Sequence, residues 1–198
     1  MGSKTDVISY VIEPVTRAQL QLETLVVHGV PLSSLRVHDA MATLLPAAAA
    51  NDDMGLVTGT PGTDAPSLQG VDFGGGASDE KAAFEFILPP NYESGGAIYV
   101  KLLDCSCLTT AADTSLTVDC EVWKQTSAGA VGSDLCATGA QSINSTTPAA
   151  ITFTVTPTGL VAGDKLIVRL SFAGSDTGDA GVMIPEICGV QMLLSIRG

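Results

Sequence analysis

The sequence has 198 residues, of which 45% are hydrophobic, 5% aromatic and only 15% charged, and its formal net charge is −12. This length allows one ordinary domain with an arm or a small accessory region, but not two full hydrophobic cores. Because a field of this sign repels phosphate backbones and anionic lipid, we predict a protein that binds neither nucleic acid nor membranes directly.

The N-terminal 79 residues show no sustained periodicity of helix or strand. Their clearest apolar run contains Leu20, Leu22 and Leu25, and a glycine and a proline soon interrupt it. Residues 46–79 are rich in Ala, Gly, Asp and Pro, and alone they could not bury enough apolar area to offset the entropy of ordering. We therefore predict an extended N-terminal arm and linker over residues 1–79, with little regular structure, that orders against a partner. The three leucines are its candidate interface residues.

From residue 80 onward, short β-rich runs alternate with clusters of turn residues. In residues 116–123, for example, Leu, Val, Cys and Val point to one face while Thr, Asp, Glu and Trp point to the other. Strands of about five to ten residues separated by such turns indicate an antiparallel β-sandwich or barrel. We predict an all-β domain over residues 80–198, with strands in residues 83–88, 97–107, 116–124, 151–156, 165–172 and 187–196.

The single tryptophan, Trp123, falls on the polar face of its strand. A large aromatic residue in that position suits an interface anchor or a platform on which a sugar ring stacks. A partly covered surface position accounts for it equally well. We therefore retain Trp123 as a candidate interface residue.

The sequence offers no convincing set of catalytic residues. His28 and His38 are the only histidines, and both lie in the N-terminal region without a carboxylate pattern suited to proton relay. We interpret them as surface or arm residues. No G-x-S-x-G motif accompanies them, so we predict that the chain is not an enzyme. A jelly-roll enzyme such as a cupin would need several inward-facing histidines on its strands, and no histidine follows His38.

Five cysteines occur without C-x-x-C spacing, and no apolar signal segment is visible, which favours reduced thiols in a protein made in the cytoplasm. We expect Cys105, Cys107 and Cys120 to fill the core as small apolar residues. The loop at 174–181 lacks the residue pattern of a calcium loop. We therefore predict no metal and no cofactor.

Several longer segments carry a family resemblance. They are residues 88–102 (LPPNYESGGAIYVKL), 112–124 (ADTSLTVDCEVWK), 132–138 (GSDLCAT), 154–160 (TVTPTGL) and 194–198 (LSIRG). Through these segments, residues 80–198 resemble the jelly-roll decoration proteins, also called cement proteins, of tailed-phage heads. The matching patterns are turns and strands rather than catalytic residues, so the family supplies no active-site set.

The resemblance implies a jelly-roll sandwich that forms a homotrimer on the outer surface of an icosahedral phage capsid. The N-terminal arm would then anchor it across the major capsid protein. The hypothesis is a structural virion protein, synthesised in the host cytoplasm, that stabilises the head. The alternative is a head- or tail-fibre module that binds host glycans through the loops at 127–133 and 174–181.

Overall fold

The computed structural model describes residues 24–60, 63–73, 77–108, 116–127, 129, 131–175 and 182–197. These ranges hold eleven strands and one short 3-10 helix at Leu32–Ser34. The strands are β1 Thr24–Val30, β2 Gly55–Val57, β3 Ser67–Gln69, β4 Ala77–Ile87, β5 Ile98–Cys107, β6 Leu116–Gln125, β7 Gln141–Ser142, β8 Ala149–Val155, β9 Lys165–Ser175, β10 Pro185–Ile187 and β11 Gly189–Ile196. Within these ranges, no helix has the length and apolar character needed to span a bilayer.

The strands form two antiparallel sheets. One sheet has seven strands, of which six follow the order β1-β11-β5-β10-β3-β2 and the seventh, β8, pairs with β5 outside this path. The second sheet has the order β4-β9-β6-β7. The four longer members of the first sheet, β1, β11, β5 and β8, stand opposite the second sheet. Buried residues of both sheets belong to one core cluster, and His28 of β1 contacts Phe86 of β4 ring to ring. The prediction of an all-β, antiparallel jelly-roll sandwich is confirmed.

A single apolar core lies between the sheets. Its largest fully buried side chains include Phe84, Phe153 and Phe172, from β4, β8 and β9. Alternation produces this core directly, because every second residue of each strand points inward. In β6, for instance, Leu116, Val118, Cys120 and Val122 are buried, as their spacing predicts.

The described part of residues 1–79 has little regular structure, as predicted, but it belongs to the sandwich. Strand β1 pairs with β11 over seven residues, and the short strands β2 and β3 extend the same sheet. Core residues from this region include Leu35, Met54, Leu68 and Phe73. This differs from the separate arm expected over 1–79, because irregular segments each contribute isolated core residues that leave no local periodicity. Leu20 and Leu22 lie outside the described residues.

Candidate interaction surfaces

The sheet pairing aligns a row of apolar side chains on the outside of the seven-stranded sheet. Val27 lies opposite Leu193, Leu193 opposite Tyr99, and Tyr99 opposite Thr154. Directly opposed residues in antiparallel strands point to the same side of the sheet. Since the residues flanking each of these in its strand point into the core, this row faces outward. We call the outward side of β1, β11, β5 and β8 the outer apolar face.

The outer apolar face is exposed at its β1 end and nearly free of charge. Leu25 and Val27 are 47% and 52% exposed, and Leu193 and Tyr99 are half-buried. Over the stretch where the four strands are in register, Lys101 is the one charged residue at an outward position among the described residues. Interface centres are similarly depleted of charge, so this face suits contact with another protein.

Strand β1 also leaves one backbone edge open. Among the described residues its strand partner is β11, on one side only. An open edge presents unpaired N–H and C=O groups that another strand can pair with. Leu25, a candidate interface residue from the sequence, lies on this strand with an exposed side chain. Its role in an interface stays a prediction.

The outside of the four-stranded sheet has a different character, since its charges pair with one another across the strands. The Arg169 guanidinium binds the Glu121 carboxylate, with Nε donating to Oε2 at 2.6 Å, and it also lies 5.0 Å from the centroid of the Trp123 ring. Lys165 pairs with Glu85 in the same way. Trp123 is half-buried on this face, and the guanidinium contact occupies part of its aromatic surface.

A polar cleft lies at one end of this sheet. Its volume is about 440 Å³, and it is lined by Gln125, Thr126, Ser127, Gly163, Asp164 and Lys165. The Oε1 atom of Gln125 is inaccessible to solvent and has no hydrogen-bond partner. Amide, hydroxyl and carboxylate groups of this kind bind hydroxyl-rich ligands. Ser127 belongs to one of the two loops that the sequence indicated for glycan contact, and residues 176–181 of the other lie outside the described residues.

The cysteines occupy the positions expected of core residues. Cys105, Cys107 and Cys120 are buried, and all five thiols are free. Burial raises the pKa of the Cys105 thiol to about 12 and that of Cys120 well above its ordinary value. The pKa of Cys136 is lowered, chiefly because it accepts a hydrogen bond from the Cys120 thiol. Cys136 is therefore the most readily ionised of these thiols.

The two histidines are not simple surface residues, which corrects the interpretation from sequence. The His28 ring packs edge-on against Phe86 with the centroids 5.9 Å apart. His38 is only 14% exposed in its side chain, and two carboxylates flank it. Its Nε2 lies 3.8 Å from Asp52 Oδ2, and its Nδ1 lies 3.7 Å from Asp53 Oδ1. The sequence concealed this arrangement because the carboxylates are 14 and 15 positions away along the chain.

No protein-family model matches the chain, and no curated protein matches it in sequence. Solved structures similar to it include the xylan-binding module CBM15, with 14% identity and a TM-score of 0.46 over 88% of this chain and 100% of that one. The CBM36-1 domain of a multidomain xylanase from the hindgut metagenome of Trinervitermes trinervoides has 11% identity and a TM-score of 0.43, with the same coverage. A chain in the structure of infectious bursal disease virus, Gt strain, has 15% identity and a TM-score of 0.34 over 78% of this chain and 42% of that chain.

Proposed function

We propose that the chain is a structural virion protein, a decoration protein that binds the outer surface of an icosahedral phage head and stabilises it. The observation that carries a contact-making role is the outer apolar face, with exposed Leu25 and Val27 next to an open strand edge. The resemblance of residues 80–198 to phage decoration proteins is the reason for proposing a phage capsid as the surface that it contacts.

In this proposal the sandwiches associate through the outer apolar face into a homotrimer. The described residues of 24–73 belong to the sandwich, so in this proposal anchoring to the major capsid protein falls to residues 1–23, which precede β1 in the chain. Three anchors on one trimer would bind with high avidity although each contact is weak. The protein would be made in the host cytoplasm and act on the outer capsid surface.

Charge makes the outer apolar face the better surface for self-association. Copies that each carry a net charge of −12 repel one another, and this repulsion is weakest where two nearly uncharged surfaces meet. Complete burial of a Val or Leu side chain contributes about 1.5 to 3 kcal/mol, so a few such residues from each copy could sustain an oligomer.

Light scattering on the full chain tests the self-association. We expect a trimer for the unmodified chain and a monomer for Val27→Lys, because the lysine places a charge in the contact. Ala173→Lys is the matched control, since Ala173 is an exposed strand residue on the outside of the other sheet. A monomeric unmodified chain, or an oligomer that survives Val27→Lys, would contradict this part of the proposal.

Phage particles that lack the protein test its stabilising role. Such particles should release their DNA at a lower temperature and after a milder osmotic shock than complete particles do. Adding back the unmodified chain should restore resistance, whereas adding a chain without residues 1–23 should not. If particles without the protein survive both treatments as well as complete ones, the stabilising function is wrong.

The second candidate function is that of a fibre module that binds host glycans. The polar cleft favours it, because the amide, hydroxyl and carboxylate groups of Gln125, Thr126 and Asp164 line one cleft and suit a hydroxyl-rich ligand. Binding of the chain to host cells and to purified surface polysaccharide is the test. This function predicts loss of binding with Gln125→Ala and with Trp123→Ala, and no change with Ser145→Ala, an exposed position elsewhere.

A further inference from the structure

Two irregular segments lie side by side along the edge of β4 that does not pair with β9. The first is held where Arg36 N donates to Ala83 O at 2.8 Å and Ala83 N donates to Arg36 O at 3.0 Å. The second is held where Lys81 N donates to Asp52 O at 2.8 Å and Met54 N donates to Lys81 O at 3.0 Å. Because these anchor points on β4 are two residues apart, the residues that follow the first segment meet the turn at 50–53.

This juxtaposition collects three side chains that are able to bind a metal. His38, Asp39 and Asp53 each offer one ligand atom, and these atoms lie within 4.8 Å of one another. Asp39 is exposed while His38 and Asp53 are mostly buried. The group therefore opens to solvent on one side only.

Two buried atoms in the cluster lack hydrogen bonds. His38 Nδ1 and Asp53 Oδ1 are inaccessible to solvent and make none, and the 3.7 Å between them is too long for a hydrogen bond. Buried polar atoms without partners are destabilising, and a ligand bound between these two atoms would satisfy both of them. An ion about 2.0 to 2.2 Å from each atom, the usual distance from Zn²⁺ to nitrogen and oxygen ligands, fits a 3.7 Å separation.

The surroundings also suit a cation. Asp52 Oδ2 lies 3.8 Å from His38 Nε2, which is too long for a hydrogen bond but places a further negative charge beside the imidazole. The lysine of the adjacent strand, Lys81, pairs with Asp79 at 2.6 Å, so its charge is already compensated. Three carboxylates thus surround one imidazole with little opposing positive charge.

We propose that His38, Asp39 and Asp53 bind a divalent transition-metal ion of the Zn²⁺ type, with water completing the coordination on the exposed side. Imidazole together with carboxylate favours such ions over Mg²⁺ and Ca²⁺, which prefer ligand sets made of oxygen alone. The ion would link the segment at 36–39 to the turn at 50–53 and hold both against the edge of β4. This site is independent of the proposed capsid function.

Isothermal titration calorimetry on the full chain tests the site with Zn²⁺, and with Ca²⁺ as the comparison ion. We expect one equivalent of Zn²⁺ and much weaker Ca²⁺ binding. Asp53→Asn and His38→Ala should each lower the Zn²⁺ affinity at least tenfold. Asp104→Asn is the matched control, because Asp104 is an exposed residue of β5 outside this cluster, and asparagine tolerates its positive φ of 51°. Unchanged affinity in both ligand variants would overturn the proposal.

Two further measurements separate this site from misfolding of a variant and from metal binding by thiols. Asp39→Asn changes an exposed side chain, so it should lower the affinity without altering the circular dichroism spectrum, even if a His38 variant folds poorly. Bound Co²⁺ should show no thiolate-to-metal charge-transfer band in the near ultraviolet. A strong band of that kind would assign the ion to the cysteines and overturn the proposal, as would full affinity in Asp39→Asn.

Discussion

The outer surfaces of the two sheets use the same alternating strands in opposite ways. On the four-stranded sheet, Arg169 pairs with Glu121 and Lys165 with Glu85 across adjacent strands. On the outer apolar face, Val27, Leu193 and Tyr99 are aligned, and no described charged side chain within that row competes for the surface. Covering a face whose charges are already paired with one another gives little stabilisation, whereas covering an exposed apolar face lowers the free energy.

The largest expected effect comes from a substitution in the core that the two sheets share. Phe172 is fully buried in β9, and Phe172→Ala should lower the free energy of unfolding by about 3 to 5 kcal/mol through lost burial and a residual cavity. Urea unfolding should be followed by Trp123 fluorescence, which reports on the four-stranded sheet, and by circular dichroism. The two transitions should coincide because one core joins the sheets. Separate transitions would mean that the faces belong to independent units.

A smaller change to the outer apolar face should weaken association while leaving the fold intact. The double variant Leu25→Thr and Val27→Thr places β-branched residues, which suit a strand, at both positions but removes apolar area worth about 2 to 3 kcal/mol, or roughly 30- to 150-fold in affinity. Sedimentation velocity over a dilution series measures this. Ile167→Thr, on the outside of the other sheet, should leave association unchanged. An equal effect of both variants would remove the distinction between the faces.

The paired charges of the four-stranded sheet should contribute less. Glu121→Gln leaves Arg169 without its carboxylate, and we expect a loss of up to about 1 kcal/mol in the free energy of unfolding. The loss should shrink in roughly 0.5 M salt because ions screen the pair. Urea midpoints at low and high salt measure it. A loss that salt does not change would show that the local hydrogen bond from Arg169, rather than the screened charge attraction, accounts for the contribution of Glu121.

Cysteine thiols in the two sheets should also differ in their reactivity. Cys136, beside β6 of the four-stranded sheet, has a lowered pKa, while Cys105 in β5 has a pKa raised to about 12. Thiolate is the reactive form, so iodoacetamide at about pH 7.5 should modify Cys136 first and leave Cys105 protected. Peptide mass spectrometry over time measures the order. Cys120→Ala should slow the modification of Cys136, since it removes the hydrogen bond that stabilises the thiolate.

The candidate surfaces were predictable only in part. Trp123 and Leu25 were singled out from sequence, and the structure places both on the outside of the sandwich. No local pattern groups Val27 with Leu193 and Tyr99, because their alignment depends on the register between β1, β11 and β5. Likewise, only the two segments along β4 bring Asp53 to His38.

The amino-acid sequence was sufficient to predict the all-β class, most of the strands after residue 80 and the inward side of each, because alternation with a period of two is a local property. The tertiary structure was needed to show that the described residues of 24–73 belong to the sandwich and which strand lies beside which. It also decided which outer face stays apolar. These features depend on pairing between distant segments such as β1 and β11, and the residues near either strand do not specify its partner.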